Sequence, residues 1–197
     1  SKFKITRSKL MNCKDLINQG SKILKEHRVS SHLLDSELIM SFLMGKPRED
    51  LIINSKQNLN KGKQNRFVRL INRRAKKKEP IAYILNKKDF WNNSLFVDKN
   101  TLVPRPETEL LVEKIVKIYK NKSPYILDIG TGSGCIIITL LEELKKSKGV
   151  AIDISNKALK IAEFNSKKNK TVSRIKFLKK STDSFFNKKF DIVISNP

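Results

Sequence analysis

The sequence predicts an α/β protein in two parts, a small amino-terminal helical bundle followed by part of a doubly wound parallel sheet. Three observations carry this. Apolar residues recur at helical spacing through the first 80 positions, and from residue 125 onward short apolar runs alternate with helical patterns. A glycine cluster also sits where the first of those runs hands over to a helix. The 197 residues allow one domain or two small ones, and 39% of them are apolar, enough to bury a core despite a net charge of +23.

In chain order, Leu10, Leu16, Ile17, Ile23 and Leu24 mark a first amphipathic helix. After Ser30 and Ser31 as candidate caps, Leu33, Leu34, Leu38, Ile39, Phe42 and Leu43 mark a second, closed by Gly45. Pro47 suits the first turn of a short helix reaching Ile53, and Phe67, Val68, Leu70 and Ile71 predict another before Pro80. Over residues 81–103 aromatic and β-branched residues surround Asn92-Asn93, the pattern of a hairpin or extended connector. Pro104 and Pro106 then interrupt helix, which resumes with Leu110, Leu111, Ile115 and Ile118 to about Asn121. Strands are expected at 125–129, 150–154, 175–178 and 190–195, with helices to about 146 and over 156–169 between them. The division is therefore a helical domain at 1–80, a connector at 81–105 and a sheet domain from 106 to 197. The chain stops directly after its last strand, whose open edge predicts a fragment of a longer protein.

Of the 42 basic residues 33 are Lys, a bias that AT-rich coding alone produces, so a solvated surface competes with an electrostatic footprint for RNA or the ribosome. Cys13 and Cys135 stand far apart without CxxC spacing, and His27 and His32 lack ligand-like neighbours; neither a disulfide framework nor a metal site is indicated. The longest apolar run, 135–141, is too short to span a bilayer, and the first ten residues lack a signal-peptide core. A soluble, cytoplasmic protein without a membrane partner is expected.

Chemistry first appears at Asp128-Ile129-Gly130-Thr131-Gly132-Ser133-Gly134. Glycines at a strand-to-helix turn permit tight backbone and close approach of a ligand to N–H groups. The dinucleotide fingerprint G-x-G-x-x-G would need glycine at 135, where Cys stands, whereas G-x-G-x-G is complete; this favours S-adenosyl-L-methionine over NAD. Asp153 ends the next strand, where a carboxylate accepts from both hydroxyls of a ribose. Cys135 reads as a small packing residue.

At the end, Ser195-Asn196-Pro197 follows a strand, and its Asn-Pro resembles the start of the Asn-Pro-Pro-Tyr signature of amino-group methyltransferases. The segment Leu102-Val103-Pro104-Arg105-Pro106-Glu107-Thr108-Glu109 resembles the hallmark of the release-factor glutamine N5-methyltransferases, and Glu79-Pro80-Ile81-Ala82-Tyr83-Ile84 with Phe90-Trp91 is similar to that family's joint between domains. The resemblance implies a Rossmann-like methyltransferase sheet and a helical substrate-recognition bundle. It further implies transfer of a methyl from S-adenosylmethionine to the Gln side-chain amide in the Gly-Gly-Gln loop of class I peptide-chain release factors.

On that resemblance Asn196 and the backbone carbonyl of Pro197 are the catalytic candidates, accepting both amide hydrogens as the nitrogen becomes nucleophilic. Gly130, Thr131, Gly132, Ser133, Gly134, Asp153 and Asn196 would line the cofactor, and Asp183 is the candidate for the adenine amino group. Arg105 and Glu107 read equally as pocket wall or as a stiff helix entry. The motif's second Pro and its Tyr lie beyond position 197, so the isolated chain is expected to be inactive. Two other readings stay open: an adenine-N6 nucleic-acid methyltransferase, which shares the turn and would suit +23, and a non-catalytic binding remnant.

Overall fold

The computed structural model describes residues 11–53, 55–181 and 189–196. The predicted positions Leu10, Asp183 and Pro197 lie outside them. The chain divides into two units, Ser1–Leu85 and Asn86–Pro197.

The first unit is helical: α1 (Cys13–Glu26), α2 (His32–Met44), α3 (Arg48–Ile53), α4 (Lys61–Lys77) and α5 (Ile81–Leu85). Asn12 and Asn60 start α1 and α4 by accepting from the Asp15 and Lys63 amides, satisfying donors that a helix start leaves unpaired. Leu16, Leu24, Ile39, Met40, Phe67 and Ile71 form the core. The second helix buries a different face from the one its leucines suggest. Leu33 and Leu34 are exposed, while Asp35 and Ser36 are buried. Both polar groups are partnered: the Arg74 guanidinium donates to Asp35 at 2.6 Å, and the Ser36 hydroxyl donates to the Ile17 carbonyl at 2.7 Å. The histidines take local roles, His32 bonded to Ser21 and His27 to the Ile23 carbonyl. No group of residues suited to a metal occurs among those described.

The second unit opens with an antiparallel hairpin, β1 (Lys88–Phe90) and β2 (Asn93–Leu95). Extended structure expected from residue 81 begins later, because Pro80 starts a helical turn in which its carbonyl accepts from Tyr83 and Ile84. After α6 (Glu107–Tyr119) come β3 (Tyr125–Ile129), α7 (Cys135–Glu143), β4 (Lys148–Asp153), α8 (Asn156–Lys168), β5 (Ile175–Lys179) and β6 (Ile192–Ser195). All four of these strands run parallel in the order β5-β4-β3-β6. This is the doubly wound arrangement the alternation predicts.

Along β3 and β4 successive side chains enter different clusters, as a period of two requires. Ile126 and Ala151 pack with Val112, Ile115 and the apolar α7, whereas Leu127, Val150 and Ile152 form a second cluster. Helix α7 stops at Glu143, three residues before the expected end: Leu144 leaves the helical region at ψ +76°, and its carbonyl accepts from the Ser147 amide in the turn that leads to β4 at Lys148. Strand β6 lies at an edge of this sheet, and its Val193 is 59% exposed. No described helix is long and apolar enough to cross a membrane.

Candidate active site

Strand order places the site. β4 and β6 flank β3 on opposite sides, so the carboxyl ends of β4, β3 and β6 lie side by side along one end of the sheet, where doubly wound folds place their ligands. Ile129 pairs with Ile152 on one side and with Ser195 on the other. Three sequence-distant features therefore meet at one sheet edge: the glycine loop after β3, Asp153 at the end of β4, and Asn196 after β6.

The loop is held from within. The Thr131 amide donates to the Ile152 carbonyl, and its hydroxyl donates to Asp128 at 2.7 Å. The Gly132 amide donates to the Asp153 carboxylate at 3.0 Å, whose other oxygen accepts from the Ser155 amide at 2.8 Å. Asp153 thus ties the loop to the next strand through one oxygen while capping the turn into α8 with the other. Thr131 and Ser133 are buried, so their side chains belong to the loop's interior.

Gly130 and Gly132 have φ of +67° and +54°, in the left-handed region. A Cβ at Gly130 would meet nothing within 4 Å, and at Gly132 only the Gly130 carbonyl at 3.9 Å. The space over the loop is open. Gly134 differs: a Cβ there would lie 2.8 Å from Ile138 Cδ1 and 3.2 Å from Ala162 Cβ, because α8 crosses α7 closely at that point.

Asn196 donates its side-chain Nδ2 to the Thr108 hydroxyl at 3.0 Å, and Ser195 Oγ donates to the Ile129 carbonyl at 3.3 Å. Within the Pro-Arg-Pro-Glu-Thr-Glu segment the structure separates the roles. Arg105 and Glu107 are exposed, Thr108 is buried against Asn196, and Glu109 accepts from the Trp91 amide at 2.8 Å, fastening the hairpin to α6.

Sequence reasoning assigned no role to two further residues. Asp128, 1% exposed near the end of β3, has its carboxyl pushed up to about 7 by burial, with the neighbouring Asp153 charge adding to the Thr131-opposed rise. An acid one residue before the end of an otherwise apolar strand is the signal that was available. Asn165 is fully buried on α8. It donates to the Ser133 and Phe96 carbonyls and accepts from the Phe96 amide, so it joins the loop to the segment after the hairpin. Its partners are too distant in sequence to be read. Burial pushes the Cys135 thiol up to about 12, consistent with a packing role.

Residues 15–85 match the PrmC N-terminal domain and residues 106–197 the methyltransferase small domain. These two matches, on a doubly wound sheet with this loop, define the class as a methyltransferase. A release factor glutamine methyltransferase of Fusobacterium nucleatum is 33% identical over 186 residues, covering 93% of this chain and 52% of its own. One from Buchnera aphidicola is 39% identical over 163 residues, covering 83% and 58%. Among solved structures, a ribosomal protein L11 methylase from Lactobacillus delbrueckii is 26% identical, with a TM-score of 0.43 over 51% of each chain. The chain belongs to the release factor glutamine methyltransferase family, whose cofactor is S-adenosylmethionine. It spans about half the length of the curated relatives it matches.

The residues present fit that cofactor. The open side of Gly130 and Gly132 leaves backbone accessible where a side chain would stand in the way, and the Asp153 carboxylate lies beside it.

Proposed function

We propose that the complete protein methylates the side-chain amide of the Gln in the Gly-Gly-Gln loop of class I release factors, in the cytoplasm. The observation that carries this reading is Asn196, set after β6 on one flank of β3 while the glycine loop and Asp153 occupy the other. The family and the names of the relatives support the substrate.

In this reading the backbone of Gly130, Gly132 and Gly134 receives the cofactor, with Thr131 and Ser133 shaping the loop from inside. Asp153 accepts from the ribose hydroxyls, and Asp183 takes the adenine amino group. S-adenosylmethionine, when bound, supplies an electrophilic methyl whose bond to sulfur breaks as the bond to nitrogen forms. An amide nitrogen is a poor nucleophile because its lone pair is delocalised, so the protein's task is to hold it in line and favour its pyramidal form. The Asn196 Oδ1 and the Pro197 carbonyl accept the two amide hydrogens, one of which is lost to water after transfer.

The test is to incubate the complete protein with labelled cofactor and unmethylated release factor, then locate the label by peptide mass spectrometry. Label on the Gly-Gly-Gln glutamine, abolished when that residue is Ala, is the expected result. Label found only on added nucleic acid rejects the proposal.

A further inference from the structure

We infer that Thr108 is a positioning residue that fixes the orientation of the Asn196 carboxamide, and through it the site's preference for a substrate that donates N–H bonds. This rests on the role proposed above for Asn196. Asn196 Nδ2 donates to Thr108 Oγ1 at 3.0 Å across 88 positions of sequence.

An isolated Asn side chain presents an oxygen or an NH₂ by a half-turn about one bond, at almost no difference in shape. A carboxamide in the site must be denied that freedom, because a substrate amide brought against an NH₂ would meet donor with donor. In the structure Nδ2 is the end bonded to the Thr108 hydroxyl oxygen, the state that turns Oδ1 away from Thr108. One N–H of the amide is then engaged with the protein, and Oδ1 is left as the acceptor for the substrate nitrogen's hydrogen.

Thr108 is a suitable post because burial and backbone bonding hold it in place. It is 7% exposed, and its own amide donates to the Arg105 carbonyl in the turn that the two flanking prolines pre-set. Its neighbour Glu109 accepts from the Trp91 amide at 2.8 Å, anchoring the same turn to the hairpin. On the other side the backbone leading to Asn196 is fixed by the pairing of Ser195 with Ile129 and by the Ser195 hydroxyl on the Ile129 carbonyl. Both ends of the contact are therefore held by structure independent of it, and the Pro-Arg-Pro-Glu-Thr-Glu segment acquires a reason for its Thr. Valine has nearly the same shape but no oxygen; serine keeps the oxygen.

The experiment compares Thr108→Val and Thr108→Ser in the complete protein by two readouts. Nitrogen-15 spectra follow hydrogen exchange of the Asn196 side-chain amide, assigned with Asn196→Asp. Thr108→Val should speed that exchange about tenfold, the loss expected for one neutral hydrogen bond, and Thr108→Ser should restore it. Steady-state kinetics on release factor should show kcat about tenfold lower in Thr108→Val, with KM for both substrates within about twofold, and recovery in Thr108→Ser. Unchanged amide exchange in Thr108→Val overturns the inference whether or not methyl transfer occurs. Faster exchange with unchanged kcat overturns its catalytic half. A wild-type protein that transfers no methyl to Gln while Asn196 responds as described sinks the proposed reaction and leaves the contact standing.

Discussion

Two glycines of one loop are expected to fail in different ways when replaced by alanine. Gly130 and Gly134 both have positive φ, so each substitution carries the left-handed penalty of about 1–2 kcal/mol for a residue with a Cβ. At Gly130 that is the whole stability cost, because the new methyl enters open space. At Gly134 the methyl also lands 2.8 Å from Ile138 Cδ1 and 3.3 Å from Ala162 Cα. The isoleucine tip can shift, but it is fully buried, and the backbone of α8 cannot give without sliding the helix. Overpacking of this kind adds about 1–3 kcal/mol, for a total of about 2–5 kcal/mol. Trp91 is the only tryptophan and donates its ring N–H to Glu143 at the end of α7, so its fluorescence reports unfolding of this unit alone. Urea titrations followed at Trp91 should order the midpoints wild type, Gly130→Ala, Gly134→Ala. Calorimetry with the cofactor should show Gly130→Ala losing more than tenfold in affinity despite its smaller loss of stability, since its methyl occupies the ligand's side of the loop. A Gly134→Ala protein as stable as Gly130→Ala, or a Gly130→Ala protein with wild-type affinity, refutes the geometry assigned to the loop.

Three further outcomes follow from the same structure. Asp128 holds its proton up to about pH 7 when folded, against an ordinary value of 3.8, so it binds more protons folded than unfolded and its contribution to stability falls as pH rises from about 4 to about 7. Asp128→Asn, which keeps an acceptor for Thr131, should flatten that fall, and at pH 8 should be the more stable protein by up to about 4 kcal/mol in paired chemical denaturations; equal pH profiles would refute the burial argument. Gly20→Ala on α1 gains about 1 kcal/mol of helix propensity yet should lower the circular-dichroism melting temperature, because its methyl would stand 2.6 Å from Ser36 Oγ and 2.8 Å from Phe67 Cζ. Asp153→Ala should weaken cofactor binding at least tenfold by calorimetry, since it removes both the proposed ribose acceptor and the tie to the Gly132 amide; an unchanged affinity would deny the carboxylate any part in the site.

Local signals were legible and long-range ones were not. The strand, glycine loop and helix from Tyr125 to Glu143 follow from β-branched residues, positive-φ glycines and a continuous apolar helix, all contained within one short stretch. The burial of Asp35 and Ser36 was invisible, because a polar residue enters a core only when it has a partner, and Arg74 lies 39 positions away. The same limit governs the site. Gly130, Gly132 and Asp153 stand out in a single strand-helix-strand unit, and their convergence is what such a unit dictates. The contacts of Thr108 and Asn165 are 88 and 69 positions long: Thr108 stands in a segment whose resemblance was visible but whose partner was not, and nothing near Asn165 distinguishes it from a surface asparagine.

The most direct measurement is a crystal structure of the complete protein with S-adenosylhomocysteine and a peptide bearing Gly-Gly-Gln. The cofactor's ribose is expected on Asp153, and the glutamine side-chain nitrogen within hydrogen-bond reach of Asn196 Oδ1 while Nδ2 stays on Thr108. A glutamine seated elsewhere, or an Asn196 side chain turned away from the departing sulfur, would contradict this reading.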